Sequence, residues 1–338
     1  MRKFFFILAL LFPVRSLLCQ EARQYSFTHY TVSNGLAAYN TNSITQDDQG
    51  YIWISTGNGL QRFDGSRFLT FRHNPADKNS LPVNYISQML VDKQKNLWLV
   101  MGNGSIGIFD TRRFVFKEIR IKLKDPKNLA YGGGLMQDGD GNLLYYFSFK
   151  EFVTYNRERN EFSSEYNDFR IPSKWRMTNI VDDPIGKKYL ISTDSGLVVY
   201  NRVTKKLSWR DDNAEHEPLI EQFGKIPFVA GYMVDKKRRF WFKNWPPFGG
   251  CSIYCYDLAN KTPVLDKYSI DKIINKYNEP AGMTEQKDGT IWMTGLYVFT
   301  KYEEAEKNSR LFTVVILMNR VFTMKEYACL KTGNRTCG

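Results

Sequence analysis

Few groups in this 338-residue chain are spaced for chemistry, and the residues around each argue against it. Gly102, Gly104 and Gly107 in GNGSIG meet the G-x-G-x-x-G spacing of a dinucleotide-binding turn. Such a turn needs a following helix whose amino end faces the pyrophosphate. Here SIGIFD alternates as a strand does. DGDGNL (138–143) opens like a calcium loop, but Leu143 stands where the sixth-position glycine belongs and Phe149 where the bidentate glutamate belongs. His29, His73 and His216 are scattered, so no zinc spacing emerges, and no nucleophile elbow or triad is discernible. Paired carboxylates for glycoside cleavage would have to come from distant parts of the chain. The expectation is no catalytic residue, no metal and no cofactor. Exposed aromatics beside planar hydrogen-bonding groups would suit a sugar. The local candidates are Tyr39 with Asn40, and Trp245 in NWPPFGG.

The cysteines build no framework. Cys251 and Cys255 in CSIYC share one face of a strand, about 13 Å apart at ~3.3 Å per residue. That is beyond disulfide reach. Cys19 falls in the leader and Cys329 and Cys337 in the tail. Residues 1–20 read as an export signal: Arg2 and Lys3, then the apolar run Phe4–Phe12, then Pro13 and small residues for cleavage. The run is too short for a membrane anchor, and a periplasmic location is expected. Of the net charge of +12, the leader carries +3 and residues 301–338 another +3, leaving +6 spread without a basic stripe. Nucleic acid is therefore not an expected partner. Hydrophobic residues at 43% and aromatics at 15% are enough for a sizeable core.

What must position any site is a repeat. SITQDDQGYIWIST (43–56) has counterparts starting at residues 86, 134, 179, 232 and 282. The equivalent positions are Trp53, Trp98, Leu144, Leu190, Trp241 and Trp292, spaced by 45, 46, 46, 51 and 51 residues. Asp47, Asp92, Asp138 and Asp235 stand six residues before four of them, in turns whose amides an aspartate can cap. Each copy reads as strand, Asp/Gly/Asn turn, strand centred on Trp or Leu, turn, strand ending in an aromatic, turn, short strand. Gly, Asn and Asp tolerate the positive φ such turns require. Four short antiparallel strands every ~45 residues define a β-propeller blade. The fold expected is all-β: six recognisable blades of an incomplete seven-bladed propeller, with the Trp and Leu positions wedged between blades.

YTVSNGLAAYNTNSITQDDQGYIWISTGNGLQRFDG (30–65) resembles the first blade of the two-component regulator propellers. The recurring element is close to V-x-x-[IM]-x-x-D-x-x-G-x-[IL]-W-[IV]-G-T-x-x-G-[IL]-x-x-[FY]. Residues 44–63, 86–109 and 282–296 follow it; Leu144, Leu190 and NWPPFGG depart from it. The resemblance covers about residues 25–300. It implies the periplasmic sensor region of a hybrid two-component histidine kinase: an oligosaccharide ligand, a second propeller and downstream signalling domains in intact relatives, and a homodimer. It implies no enzymatic activity for this segment, which lacks kinase, receiver and DNA-binding parts. Rival readings are a propeller-fold polysaccharide lyase or glycosidase, and a passive scaffold. The domains expected are the signal (1–20), the propeller (21–312) and an aberrant tail (313–338). The tail lacks the repeat, which a frameshift near 312–320 and a truncated product would explain.

Overall fold

The computed structural model describes residues 28–124, 132–147, 151–244, 252–265, 279–296, 298–303 and 308–310. The leader, the tail and Trp245 lie outside them. Strands follow one another in six sets of four. Blade 1 is β1 (Thr41–Gln46), β2 (Ile52–Thr56), β3 (Gly59–Phe63) and β4 (Phe68–Phe71). Blade 2 is β5 (Ile86–Val91), β6 (Leu97–Met101), β7 (Ile106–Asp110) and β8 (Val115–Lys122). Blade 3 is β9 (Gly133–Gln137), β10 (Leu143–Phe147), β11 (Phe152–Asn156) and β12 (Glu161–Ser163). Blade 4 is β13 (Met177–Asp183), β14 (Lys188–Thr193), β15 (Gly196–Asn201) and β16 (Lys206–Trp209). Blade 5 is β17 (Val229–Val234), β18 (Arg239–Asn244), β19 (Ser252–Asp257) and β20 (Thr262–Leu265). Blade 6 is β21 (Glu279–Glu285), β22 (Ile291–Leu296), β23 (Val298–Glu303) and β24 (Asn308–Arg310).

Within each blade the strands pair antiparallel in chain order. The first strands lie beside one another in the series β1, β5, β9, β13, β17, β21, so they face the ring axis. One feature departs from the expected set of separate blades. β8 is eight residues long and outruns β7. Its last three residues, Arg120–Lys122, pair in parallel with Glu161–Ser163 of β12. Blades 2 and 3 thus form a single eight-stranded sheet. The longer spacing between Leu190 and Trp241 also has a structural cause. The connector between blades 4 and 5 holds a short helix, α1 (Pro218–Phe223), whose Leu219, Ile220 and Phe223 are buried in the core between those blades.

The wedges are buried: Trp53, Trp98, Trp241, Trp292, Leu144 and Leu190 are each at most 3% exposed. Trp53 packs on Leu97, Leu99 and Phe109 of blade 2, and Trp98 on Leu143, Tyr145 and Phe162 of blade 3. Trp241 packs on Ile291, Met293 and Tyr302 of blade 6. An indole N–H so deeply buried needs an acceptor. The aspartate of the preceding turn supplies it. Trp53, Trp98 and Trp241 donate Nε1–H to Oδ2 of Asp47, Asp92 and Asp235 at 2.7, 2.8 and 2.9 Å. The other oxygen caps the turn: Asp47 Oδ1 accepts from the Gln49 and Tyr51 amides, Asp92 Oδ1 from Asn96, and Asp235 Oδ1 from Lys237 and Arg239. One carboxylate therefore fixes both the hairpin and the wedge.

Blades 3 and 4 carry leucine in place of tryptophan, and there the neighbouring blade supplies the missing donors. Asp138 Oδ1 caps the Asp140 and Asn142 amides. Its Oδ2 accepts from the Tyr189 hydroxyl at 2.7 Å and from Arg202 Nη1 at 2.9 Å, both in blade 4 or its turns. Arg202 also bonds Asp140 (2.6 Å) and Asp182 (2.9 Å), with its own side chain only 9% exposed. Burial raises the Asp182 carboxyl above its ordinary value, against the lowering pull of the Gly139 amide and Arg202. Burial, reinforced by the bond to Asp138, raises the Tyr189 hydroxyl.

Neighbouring turns are tied at three junctions by the same device. The left-handed residue of the first turn is Gly50, Gly141 or Gly289 in blades 1, 3 and 6, but Lys95, Lys187 or Arg238 in blades 2, 4 and 5. Each of these cations reaches an acid on the preceding blade: Lys95 to Asp48, Lys187 to Asp140, Arg238 to Asp183. A non-glycine residue in that conformation costs about 1–2 kcal/mol. On the axis, side chains span the gaps: Asn42 Nδ2 to Ile86 O, Gln88 to both N and O of Leu135, and Asn179 Nδ2 to Gly231 O.

The buried tyrosines give an alkaline signature. Burial pushes the Tyr145 hydroxyl up to about 12, and burial with nearby Glu217, Glu221 and Asp257 pushes Tyr256 up to about 12, from 10.0. Folded pKa values above the unfolded ones mean the native state holds its protons longer. The stability these groups contribute is complete below pH 10 and is lost as pH rises through about 12. Tyrosinate absorbance for these residues should therefore appear together with unfolding. Reversible ionisation near pH 10 in a chain that stays folded would contradict their burial.

Candidate ligand-binding site

The ring has two unlike ends. One carries the turns between first and second strands, closed by the aspartate caps and salt bridges above. The other carries the starts of the six axial strands, the second-to-third strand turns and the connectors between blades. Tyr39 and Asn40 precede β1 at this connector end. Tyr39 is 64% exposed and Asn40 is exposed. The Asn40 carbonyl accepts from the Gly57 amide at 3.2 Å, while Asn58 Nδ2 bonds the Ala37 carbonyl and the Ala37 amide bonds Gln61. Segment 35–40 is thereby laced to the β2–β3 turn and to β3.

Strand pairing makes Asn40 one member of a set. Three residues past each wedge, Thr56, Met101, Phe147, Thr193 and Asn244 pair with Thr41, Ile86, Gly133, Met177 and Val229. The residues just before those partners are Asn40, Tyr85, Gly132, Arg176 and Phe228. Tyr85 is 44% exposed and Phe228 41% exposed. Tyr85 lies against Gly102 of the β6–β7 turn: its carbonyl accepts from the Gly102 amide at 2.8 Å, and a Cβ on Gly102 would fall 2.4 Å from the tyrosine ring.

Phe228 and Arg176 are held by one turn, Asp194–Ser195. The Phe228 amide donates to Asp194 O at 3.2 Å with Phe228 at φ +52°. Asp194 accepts from the Arg176 amide at 3.0 Å and from Arg176 Nε at 2.7 Å, and its amide donates to Arg176 O. Partial burial works against the charge of Asp194, but the Arg176 bonds win and hold its carboxyl below the ordinary value. Behind this turn Arg210 stacks on Trp175 at 5.0 Å. A small cleft of about 240 Å³ between blades 3 and 4 is lined by Lys124, Phe152, Asn167, Phe169, Arg170 and Met177. Its aromatic floor is buried, with Phe152 at 4% and Phe169 at 7% exposure, so no ring face there is offered to a ligand.

Tyr85, Phe228 and Arg176 escaped sequence reasoning, because the connectors before their strands share no local pattern. Only the register counted back from each wedge equates them. Arg202 does have a sequence signal: it follows β15 as Arg157 follows β11, a basic residue in the two copies that lack tryptophan. Trp245 lies outside the described residues. Among the described residues, no cluster of three or more His, Cys, Asp or Glu is arranged for a metal, and no helix is long and apolar enough to cross a membrane. Cys255 is buried in β19.

The fold and its turns define a β-propeller whose blades are pinned by turn aspartates. Residues 35–58, which hold Tyr39, Asn40, Asp47 and Trp53, match the family model described as two component regulator propeller. The chain is 34% identical over 77 residues to Histidine kinase P4 of Formosa agariphila, a stretch covering 23% of this chain and 6% of that protein. It is also similar to two solved structures from B. thetaiotaomicron. These are the extracellular domain of BT3049, titled a hybrid two component system (TM-score 0.62, 16% identity, 85% of this chain and 36% of that one), and the extracellular domain of BT4673, titled a one component system (TM-score 0.63, 16% identity, 86% and 39%). The chain carries a two component regulator propeller repeat at residues 35–58 and shares its fold with these two structures. It spans well under half the length of these relatives.

Proposed function

We propose that this chain is the ligand-binding sensor region of a two-component signalling protein, placed outside the cytoplasm, with an oligosaccharide as its ligand. The observation that carries the reading is the family repeat at 35–58, which falls on the blade bearing Tyr39 and Asn40 at the connector end. Exposed aromatics and amides at the rim of a rigid ring suit the apolar faces and hydroxyl edges of sugar rings. The segment binds without turnover, and binding biases signalling domains of a longer protein, together with a second propeller and a homodimeric partner. An export signal at 1–20 accords with this placement.

Thermal unfolding of the full chain against oligosaccharide fractions tests the reading. A ligand at a hundredfold excess over its Kd stabilises by about 2.7 kcal/mol. The expected result is a concentration-dependent rise in midpoint with the oligosaccharide recovered intact. Cleavage of the sugar would support a lyase or glycosidase instead, and no shift with any fraction would favour a scaffold.

A further inference from the structure

We infer that the connector end of the ring binds a chain of several sugar units, with Tyr85 and Phe228 as stacking platforms alongside Tyr39. The inference rests on the oligosaccharide reading above and adds the site and the ligand's length. Three observations carry it. Tyr39, Tyr85 and Phe228 are exposed large aromatics at or next to the same register position, on blades 1, 2 and 5. Other exposed apolar residues, such as Phe114, Ile185 and Val203, lie in turns at the opposite end. An exposed aromatic is ordinarily isolated; here three recur at one place in the fold.

The ring of Tyr85 and the backbone of Phe228 are also held in place. Tyr85 rests on Gly102, where no side chain fits beneath its ring, and the residue stays 44% exposed. Phe228 keeps a left-handed backbone, φ +52°, which is unfavourable for a bulky residue, and its amide is bonded to Asp194. Strain at an exposed aromatic that stabilises no core points to a role for its placement. Rigid aromatics bind sugar faces with little ordering cost. Neighbouring sheets pack about 10 Å apart, so platforms on adjacent blades are too far apart for one pyranose ring to bridge, and blade 5 is farther still. A linear oligosaccharide lying across the axis meets several of them.

The test is calorimetric titration of the full chain with a tetrasaccharide panel of β-glucan, xylan, mannan, galactan and polygalacturonate, together with their monosaccharides. The expected result is that one tetrasaccharide binds at least a hundredfold tighter than its monosaccharide. Tyr85→Ala and Phe228→Ala should each weaken it about tenfold, as loss of a ~1.4 kcal/mol stacking contact does. Phe114→Ala, at the other end, should leave it unchanged. Gly102→Ala should weaken binding like Tyr85→Ala by unseating the ring. Phe228→Gly should weaken binding without lowering the unfolding midpoint, because glycine adopts this φ freely. A tetrasaccharide that binds with undiminished affinity to both aromatic variants overturns this site while leaving the oligosaccharide reading intact. Absence of binding by every sugar overturns both.

Discussion

Trp98→Ala should destabilise the chain by about 3–5 kcal/mol, the range for removing a large buried aromatic. Trp98 is 1% exposed and packs against Tyr155 and Phe162 with centroids at 5.0 and 5.8 Å. Its loss leaves a cavity between blades 2 and 3, whose outer strands are hydrogen-bonded together and restrict collapse. The variant also strips a donor from Asp92 Oδ2, which is left with Asn96 Nδ2. Trp98→Phe separates the two losses. It keeps most of the apolar area and removes only the N–H, so about 1–3 kcal/mol should be lost. Denaturant unfolding followed by far-ultraviolet circular dichroism measures both. Equal losses for Phe and Ala would mean that the hydrogen bond to Asp92 dominates; no loss for Phe would mean that it contributes nothing.

Arg202→Met should cost about 3–5 kcal/mol at neutral pH, because it leaves buried carboxylates without their partner. Asp138 is fully buried at its side chain and Asp182 nearly so, and Arg202 bonds both. The sign of the pH dependence is definite. Without the guanidinium, the Asp182 carboxyl, already raised by burial, rises further. The folded state then holds protons more tightly than the unfolded state, so the variant gains stability as pH falls. The gap between wild type and variant should be widest near pH 7 and should narrow once the buried acids protonate. A gap independent of pH would mean that Arg202 acts through packing alone, through its methylene stem and its stacking on Tyr189 at 4.8 Å.

The blades were legible because two local rules coincide. Alternation marks the strands, and Asp, Gly and Asn mark turns that need positive φ or side-chain caps. The six wedge positions, counted from Trp and Leu alone, are each at most 3% exposed. What sequence hid is compensation across blades. Asp138 stands six residues before a leucine, and its partners Tyr189 and Arg202 lie 51 and 64 residues away. The parallel β8–β12 pairing was hidden too, since it depends on three residues by which β8 outruns its own blade. At the connector end, Tyr39 and Asn40 could be singled out beside a clear repeat, whereas Tyr85 and Phe228 gain meaning only from register. The helix α1 explains one of the two 51-residue spacings, the insertion between blades 4 and 5.

Hydrogen exchange of the full chain with and without its tightest-binding tetrasaccharide tests the central claim, that the connector end receives the ligand while the turn end holds the ring together. Protection should rise at the residues leading into the axial strands, around Tyr39, Tyr85, Arg176 and Phe228, and stay unchanged at the turns of Asp47, Asp92 and Asp235. Protection confined to those aspartate turns, or to the outer edge strands, would contradict it.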